Sequence, residues 1–214
     1  MTTGADSAGP TSPLSTPAVV QVGGGSVQVV RGLVLLAGGP YIFGPAATFA
    51  CCPNDNLAVH IAMYRAQPGS VLVGDGGGTS EYGLFGELMA TDALGHGISG
   101  VVVDGTVRDL DDLDRIGLPV RARGAAPAQC RKQAAISVGE PVVVGGAVVH
   151  PGDLVLADRD GVAVVVAEHW PTVRQAALDL AEREQGHLDR LGRGERLAEI
   201  TGLRGLIESW SKSG

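Results

Sequence analysis

Three charged side chains in the middle of the chain, Glu87, Arg108 and Asp109, have types and spacing that could do chemistry together. Twenty residues separate Glu87 from Arg108, and the intervening run, GELMATDALGHGISGVVVDGTVRD (86–109), reads as a helix start, a glycine-bounded turn, a buried strand and a second turn. A helix–turn–strand unit of that length returns the start of the helix to the end of the strand. Glu87 and the Arg108-Asp109 pair can therefore meet at one sheet edge. Backbone N–H groups at a helix start attract an anion, here those of Leu88 and Met89. An arginine presents a planar fork to a carboxylate or an enolate oxygen. Asp109 and Glu87 supply hard oxygen ligands for Mg²⁺, Mn²⁺ or another divalent metal, directly or through water. Together these groups suit a 2-oxo acid, whose carboxylate and keto oxygen can chelate one metal. An ion pair of Arg108 with Glu87 or Asp112 accounts for the same spacing, and on spacing alone it is the simpler reading.

The elements that must position these residues are legible in part. Tyr41–Cys51 reads as a strand, and Pro53-Asn54-Asp55-Asn56 as a turn opening a helix to about Ala66, stopped by Pro68-Gly69. Ser70–Gly74 is a short apolar strand, DGGGTSEYG (75–83) a loop, and Leu84–Gly95 a helix closed by Gly97. Gly100–Val103 is a buried strand followed by a turn at Asp104-Gly105, and a short helix starts at Asp109. From Pro141 onward valines alternate with glycines, which predicts short strands with turns at Gly145-Gly146, Pro151-Gly152 and Asp160-Gly161. Residues 170–192 form the clearest helix, striped by Val173, Ala177, Leu180, Leu188 and Leu191. Glu184 occupies the missing stripe position, and a carboxylate there is a solvated rim residue or one that reaches a neighbouring chain. The spacing favours the first. The expected architecture is a layered α/β sandwich with a mixed central sheet. It comprises a tail over 1–17, one domain over 18–192 and an amphipathic C-terminal extension over 193–214.

Composition narrows the function classes. The chain has 214 residues, 44% of them hydrophobic and 18% charged, enough for a globular core. Its net charge is −7 with no basic face, which argues against nucleic acid as a partner. No apolar run approaches the ~20 residues of a membrane span, and the first residues have no signal-peptide pattern, so a cytoplasmic location is expected. Cys51, Cys52 and Cys130 are odd in number and lack C-x-x-C spacing, which reads as buried thiols. DGGG (75–78) has no following GK[ST] and reads as a substrate-side loop. His96 reads as a helix-end cap, His60 as a core or surface residue, and Asp158 and Asp160 equally as metal ligands or as turn residues beside Gly161. Thr106 is a weak pocket candidate.

The run 86–109, with IFGPAATF before it, PGSVLVGDGGG beside it and HPGDLVLADRDGVAVV near residue 160, resembles the signature of the regulator of ribonuclease activity A family. That family includes the 4-hydroxy-4-methyl-2-oxoglutarate aldolases, and the likeness covers roughly residues 40 to 185. The resemblance implies an α/β sandwich that assembles into homotrimers or hexamers, with sites between subunits. It implies a divalent metal (Mg²⁺, Mn²⁺ or another) on Asp109, enolate stabilisation by Arg108, water ordered by Glu87 and a pyruvate carboxylate on the Leu88 and Met89 amides. It places Glu184 of the C-terminal helix in a neighbouring subunit's site. The implied activity is retro-aldol cleavage to pyruvate or decarboxylation of an oxaloacetate-like acid. The alternatives are a non-catalytic regulator of an RNA-degrading enzyme and a site recruited to a specialised biosynthetic reaction. Glu replaces the more usual Asp at position 87, and VVQVGGGSVQVV lacks the usual Asp-Ala of the first helix.

Overall fold

The computed structural model describes residues 14–78 and 81–211. Helix α1 (Thr16–Gly23) opens the fold, capped by Ser15, whose side chain accepts from the Ala18 N–H. Leu14 and Thr16 are buried, so the packed structure begins inside the stretch read as a tail; residues 1–13 lie outside the described ones. Strands β1 (Val27–Val30), β2 (Leu35–Ala37) and β3 (Ile42–Cys51) lead to α2 (Leu57–Arg65), β4 (Val71–Asp75) and the two-residue β5 (Tyr82–Gly83). Then come α3 (Glu87–Gly95), β6 (Gly100–Val107), α4 (Leu110–Ile116), β7 (Val120–Ala125), β8 (Ala128–Gln129) and β9 (Ala135–Val138). The chain continues through β10 (Val142–Val144), β11 (Ala147–Val149), β12 (Leu154–Ala157) and β13 (Val162–Val165), and ends in α5 (Trp170–Gly192), α6 (Leu197–Ile200) and α7 (Arg204–Trp210).

Among the described residues, nine strands form one mixed sheet in the order β1-β13-β12-β3-β4-β6-β7-β2, with β9 on the far end of β3. The centre, β3-β4-β6-β7, is parallel, and the remaining pairings are antiparallel. Parallel strands need both faces covered, and β6 is buried along its whole length. On one face α2, α3 and α4 bring Val59, Ala62, Ala90 and Leu113 against Phe49, Leu72 and Val101. On the other, the β10–β11 hairpin sets Val142, Val144 and Val149 against Ile42, Val73 and Val102. A third cluster joins α1 and α5 to β12 and β13 through Val19, Leu156, Val165, Val173 and Ala177. This is the layered single-domain α/β sandwich expected, and no helix among the described residues is long and apolar enough to cross a membrane.

Two local expectations are corrected. The helix read from Leu84 starts at Glu87, because residues 84–86 run extended beside β6: Leu84 N–H donates to Thr106 O and Arg108 N–H to Phe85 O. The turn read at Asp104-Gly105 lies inside β6, where the β6–β7 register shifts between Val103 and Thr106. The glycine marks a bulge, not a strand end. A side chain at Gly105 would meet Leu84 and the Gly76 backbone.

Asp104 pins that bulge. It is 8% exposed and accepts from Arg123 through Nε and Nη2 and from Gly145 N–H at 2.7 Å. Burial by itself raises its pKa, but the Arg123 hydrogen bonds, the Gly145 N–H and the Arg123 charge outweigh it and hold the carboxyl below the usual range. A lowered folded-state pKa contributes stability above the unfolded value of about 3.9, lost as pH falls through the folded value. Asp104→Asn is therefore expected to destabilise the protein by roughly 2–3 kcal/mol at pH 7. The gap to the parent should narrow below about pH 4, in urea unfolding at both pH values.

Candidate functional site

Helix α3 enters from Gly86, and its first turn leaves N–H groups without helical partners. Ala90 N–H reaches Gly86 O at 2.9 Å, and Glu87 N–H reaches Asp109 Oδ2 at 3.2 Å. Among the described residues no hydrogen bond takes up the N–H of Leu88 or Met89. The Glu87 carboxylate turns to Arg115 Nη2 at 2.8 Å, and the same guanidinium binds Asp112 at 2.7 Å. The ion pairs entertained between Arg108 and Glu87 or Asp112 are thus not formed; Arg115, one helical turn into α4, takes both carboxylates. The pairs are exposed and contribute little to stability.

Arg108 and Asp109 join β6 to α4. Asp109 adopts φ 59° and ψ 47°, the left-handed region, where Asp and Asn are the best tolerated of the non-glycine residues. That bend turns its carboxylate back onto the start of α3 rather than onto its own helix. Arg108 Nε lies 3.1 Å from both Asp109 oxygens, while Nη1 and Nη2 have no recorded partner among the described residues. A side chain at Gly83 would meet Arg108 Cβ and Cγ at 2.7 Å, and one at Gly86 would fall on Asp109 Oδ2. Both glycines are there for close approach. Gly86 has extended backbone, so Gly86→Ala should cost no conformational strain yet displace the Asp109 carboxylate. We expect a fall of about 10–100-fold in apparent Mg²⁺ affinity with an unchanged melting temperature, read by metal titration of activity beside thermal unfolding.

These groups border a cavity of about 140 Å³. Leu88, Met89, Arg108 and Asp109 form part of its wall, and Asn56, His60, Cys130 and Lys132 form another. Each contributing segment follows the carboxyl end of a parallel strand: Asn56 after β3, the α3 start after β4, Arg108 after β6 and Cys130 after β7. Open parallel sheets bind ligands at that edge. Two cationic side chains, one carboxylate and a helix N-terminus make the lining favourable to an anion in a protein of net charge −7.

The donor set fits one kind of metal. Among the described residues there is no group of three or more His, Cys, Asp or Glu side chains that could cage an ion. Asp109 offers one carboxylate at the cavity, which suits a Mg²⁺-like ion that takes its other ligands from water and substrate oxygens.

Glu184 stands exposed on α5, beyond Leu180, the last buried residue of that helix, and does not line the cavity of its own chain. Thr106 is absent from the lining and donates to Tyr82 O at 2.9 Å. His96 caps α3, with Nδ1 2.9 Å from Asp92 O. Asp158 accepts from the N–H groups of Thr16, Asp160 and Gly161, a turn role. Burial pushes the Cys51 thiol up to about 12, and burial followed by the nearby Asp55 charge raises that of Cys130, so both stay protonated. His60, read as core or surface, is a cavity residue instead. Sequence reasoning also passed over Asn56 and Lys132; the spacing of Asn56 and His60, one turn apart on α2, was the available signal.

The family model RraA-like, described as Aldolase/RraA, matches residues 16–164. A protein of Halalkalibacterium halodurans named "Putative 4-hydroxy-4-methyl-2-oxoglutarate aldolase" is 37% identical over 136 residues, 64% of this chain and 65% of that one. The chain thus spans just under two thirds of that relative's length. The structure titled as the RNA-processing inhibitor RraA from Thermus thermophilis superposes with a TM-score of 0.61 at 30% identity, over 65% of this chain and 85% of that one. An uncharacterised protein from Pseudomonas syringae gives a TM-score of 0.78 at 25% identity, over 89% and 90% of the two chains. The family model covers most of the chain and spans every cavity residue named above, so this protein belongs to the RraA-like family.

Proposed function

We propose that the protein is a divalent-metal-dependent carbon–carbon lyase that acts on a small 2-oxo acid through its pyruvate enolate. The observation that carries the reading is the convergence on one cavity of two helix-start N–H groups and an arginine fork whose Nη atoms have no partner among the described residues, together with one carboxylate. The Leu88 and Met89 N–H groups receive the acid's carboxylate. Arg108 donates to the keto oxygen and donates more strongly as that oxygen gains charge in the enolate. Asp109 would hold Mg²⁺ or Mn²⁺, which when bound would supply Lewis-acid polarisation of the keto group. Glu87, its carboxylate held by Arg115 at 2.8 Å, would order water at that edge of the site.

Cleavage of a 4-hydroxy-2-oxo acid and decarboxylation of oxaloacetate give the same enolate, so one set of donors serves both. The name of the Halalkalibacterium relative supports the first. The working form is a homotrimer or a hexamer in which Glu184 of a neighbouring copy completes the site. In support, α5 beyond Leu180 is exposed and carries Leu188 and Leu191 on the same stripe. A second reading, a non-catalytic protein-binding regulator, is favoured by the likeness to the Thermus RNA-processing inhibitor.

Pyruvate release decides between them. With Mg²⁺ the purified protein should turn over 4-hydroxy-4-methyl-2-oxoglutarate, oxaloacetate or both; EDTA should abolish the rate and added Mg²⁺ restore it. If no 2-oxo acid turns over with any divalent metal, the lyase reading is wrong, and a tightly bound protein partner would then establish the second.

A further inference from the structure

Two residues of the cavity wall that the enolate chemistry leaves unused, Asn56 and His60, each carry a buried polar atom without a partner among the described residues, Oδ1 and Nε2, and His60 also borders a second cavity beside Tyr64 and Asp92. Asn56 is 5% exposed, and its orientation is settled by its other end. Nδ2 donates to Leu84 O at 2.9 Å and approaches Met89 Sδ at 3.5 Å. Exchanging the amide atoms would set an oxygen against the Leu84 carbonyl, so the unpaired atom is the acceptor. The residue is also rigidly placed. Its N–H donates to Arg131 O, and the neighbouring Asp55 carboxylate accepts from Leu57, Gln133 and Ala134 N–H. His60 lies one turn further along α2. Burial and then the charge of Lys132 lower its pKa, which keeps the ring neutral, with one donor and one acceptor nitrogen.

A buried acceptor without a partner is rare in a folded protein and marks a place for one. The chemistry of the partner follows from the surroundings. A carboxylate or a ketone has no proton to give Asn56 Oδ1. An ammonium would share the cavity with Arg108 and Lys132. A neutral hydroxyl both donates to Oδ1 and accepts from an imidazole N–H.

We propose that Asn56 and His60 form a subsite for the hydroxyl of an aldol-type substrate, so that the cavity selects 2-oxo acids bearing a hydroxyl on the carbon that leaves over oxaloacetate-like acids that lack one. This rests on the lyase reading above and adds the specificity-determining residues to it. Cleavage needs that hydroxyl oriented as its proton passes to water, its oxygen becomes the carbonyl of the leaving fragment and the carbon–carbon electron pair moves into the enolate; decarboxylation has no such group. A site built to bind a hydroxyl discriminates strongly against the analogue without it, because its polar groups are then left unpaired.

Asn56→Leu and His60→Phe, each assayed on both substrates with Mg²⁺, provide the test. The expected result is a loss of about tenfold or more in kcat/KM for 4-hydroxy-4-methyl-2-oxoglutarate, with oxaloacetate decarboxylation changed less than about threefold. A structural role would lower both rates together. Equal losses on the two substrates, or no loss on either, would overturn the proposal, the latter meaning that water alone occupies the subsite. If loss of the Leu84 contact prevents Asn56→Leu from folding, the ratio for His60→Phe decides. A parent protein that decarboxylates oxaloacetate but does not cleave the hydroxy acid leaves the lyase reading standing and removes the hydroxyl subsite; one that does neither removes both.

Discussion

Asp109→Asn is expected to reduce metal-dependent turnover by on the order of 10³-fold or more while leaving the fold intact. Asp109 has three tasks: it bends the chain at φ 59°, it accepts from Glu87 N–H and Arg108 Nε, and it presents the cavity's carboxylate. Asparagine tolerates the left-handed backbone and keeps one acceptor oxygen, so it removes the charge and one of the two acceptors that Arg108 Nε and Glu87 N–H use. The Arg108–Asp109 pair is about a third exposed, with side chains at 34% and 29%, so its loss should cost under about 1 kcal/mol. Alanine is the poorer probe, since it adds roughly 1–2 kcal/mol of backbone strain at this position. Mg²⁺ titration of pyruvate release, run beside thermal unfolding, separates the two effects. Full Mg²⁺-dependent turnover in Asp109→Asn would show that the metal is held elsewhere.

Replacing Arg108 should act on a different quantity. Arg108→Ala is expected to lower kcat by about 10²–10³-fold with a smaller change in KM, because the charge it meets develops only as the enolate forms. Arg108→Lys should recover little. An ammonium is a point charge and cannot hold Asp109 through Nε while two further donors face the substrate. The side chain is also shaped by Gly83, whose missing Cβ leaves the room that Arg108 Cβ and Cγ occupy. Steady-state kinetics on oxaloacetate with saturating Mg²⁺ makes the comparison. A rise in KM with kcat unchanged would mean that Arg108 binds substrate and transition state equally, and the enolate role would be lost.

The meeting of Glu87 with Asp109 was legible because a helix–turn–strand unit has only one way to return, and the structure closes it with the Glu87 N–H bond. The partner of the Glu87 carboxylate was not legible. Arg115 lies in α4, whose position depends on the left-handed bend at Asp109, and no local pattern encodes that bend. The valine runs identified β4 and β6 as buried strands, but Asp104-Gly105 mimics a turn locally. Only Arg123 on β7 and Gly145 of the β10–β11 turn show why an aspartate can continue a buried strand there. Asn56 and His60 were visible as a helix start and a helix residue. Their cavity atoms became apparent only with Leu84 and Met89 in place, 28 and 33 positions away.

The cavity's walls follow four parallel strands, and this has a consequence for kinetics. Parallel neighbours need long crossovers, so their pairing is non-local and must overcome loop-closure entropy before any contact compensates. The backbone hydrogen bonds of the β10–β11 hairpin and of α5 close over short sequence separations, unlike those of the parallel pairs. The surface that meets a ligand exists only once β3, β4, β6 and β7 share one register. A bound acid or ion therefore adds its stabilisation to the fully registered sheet alone.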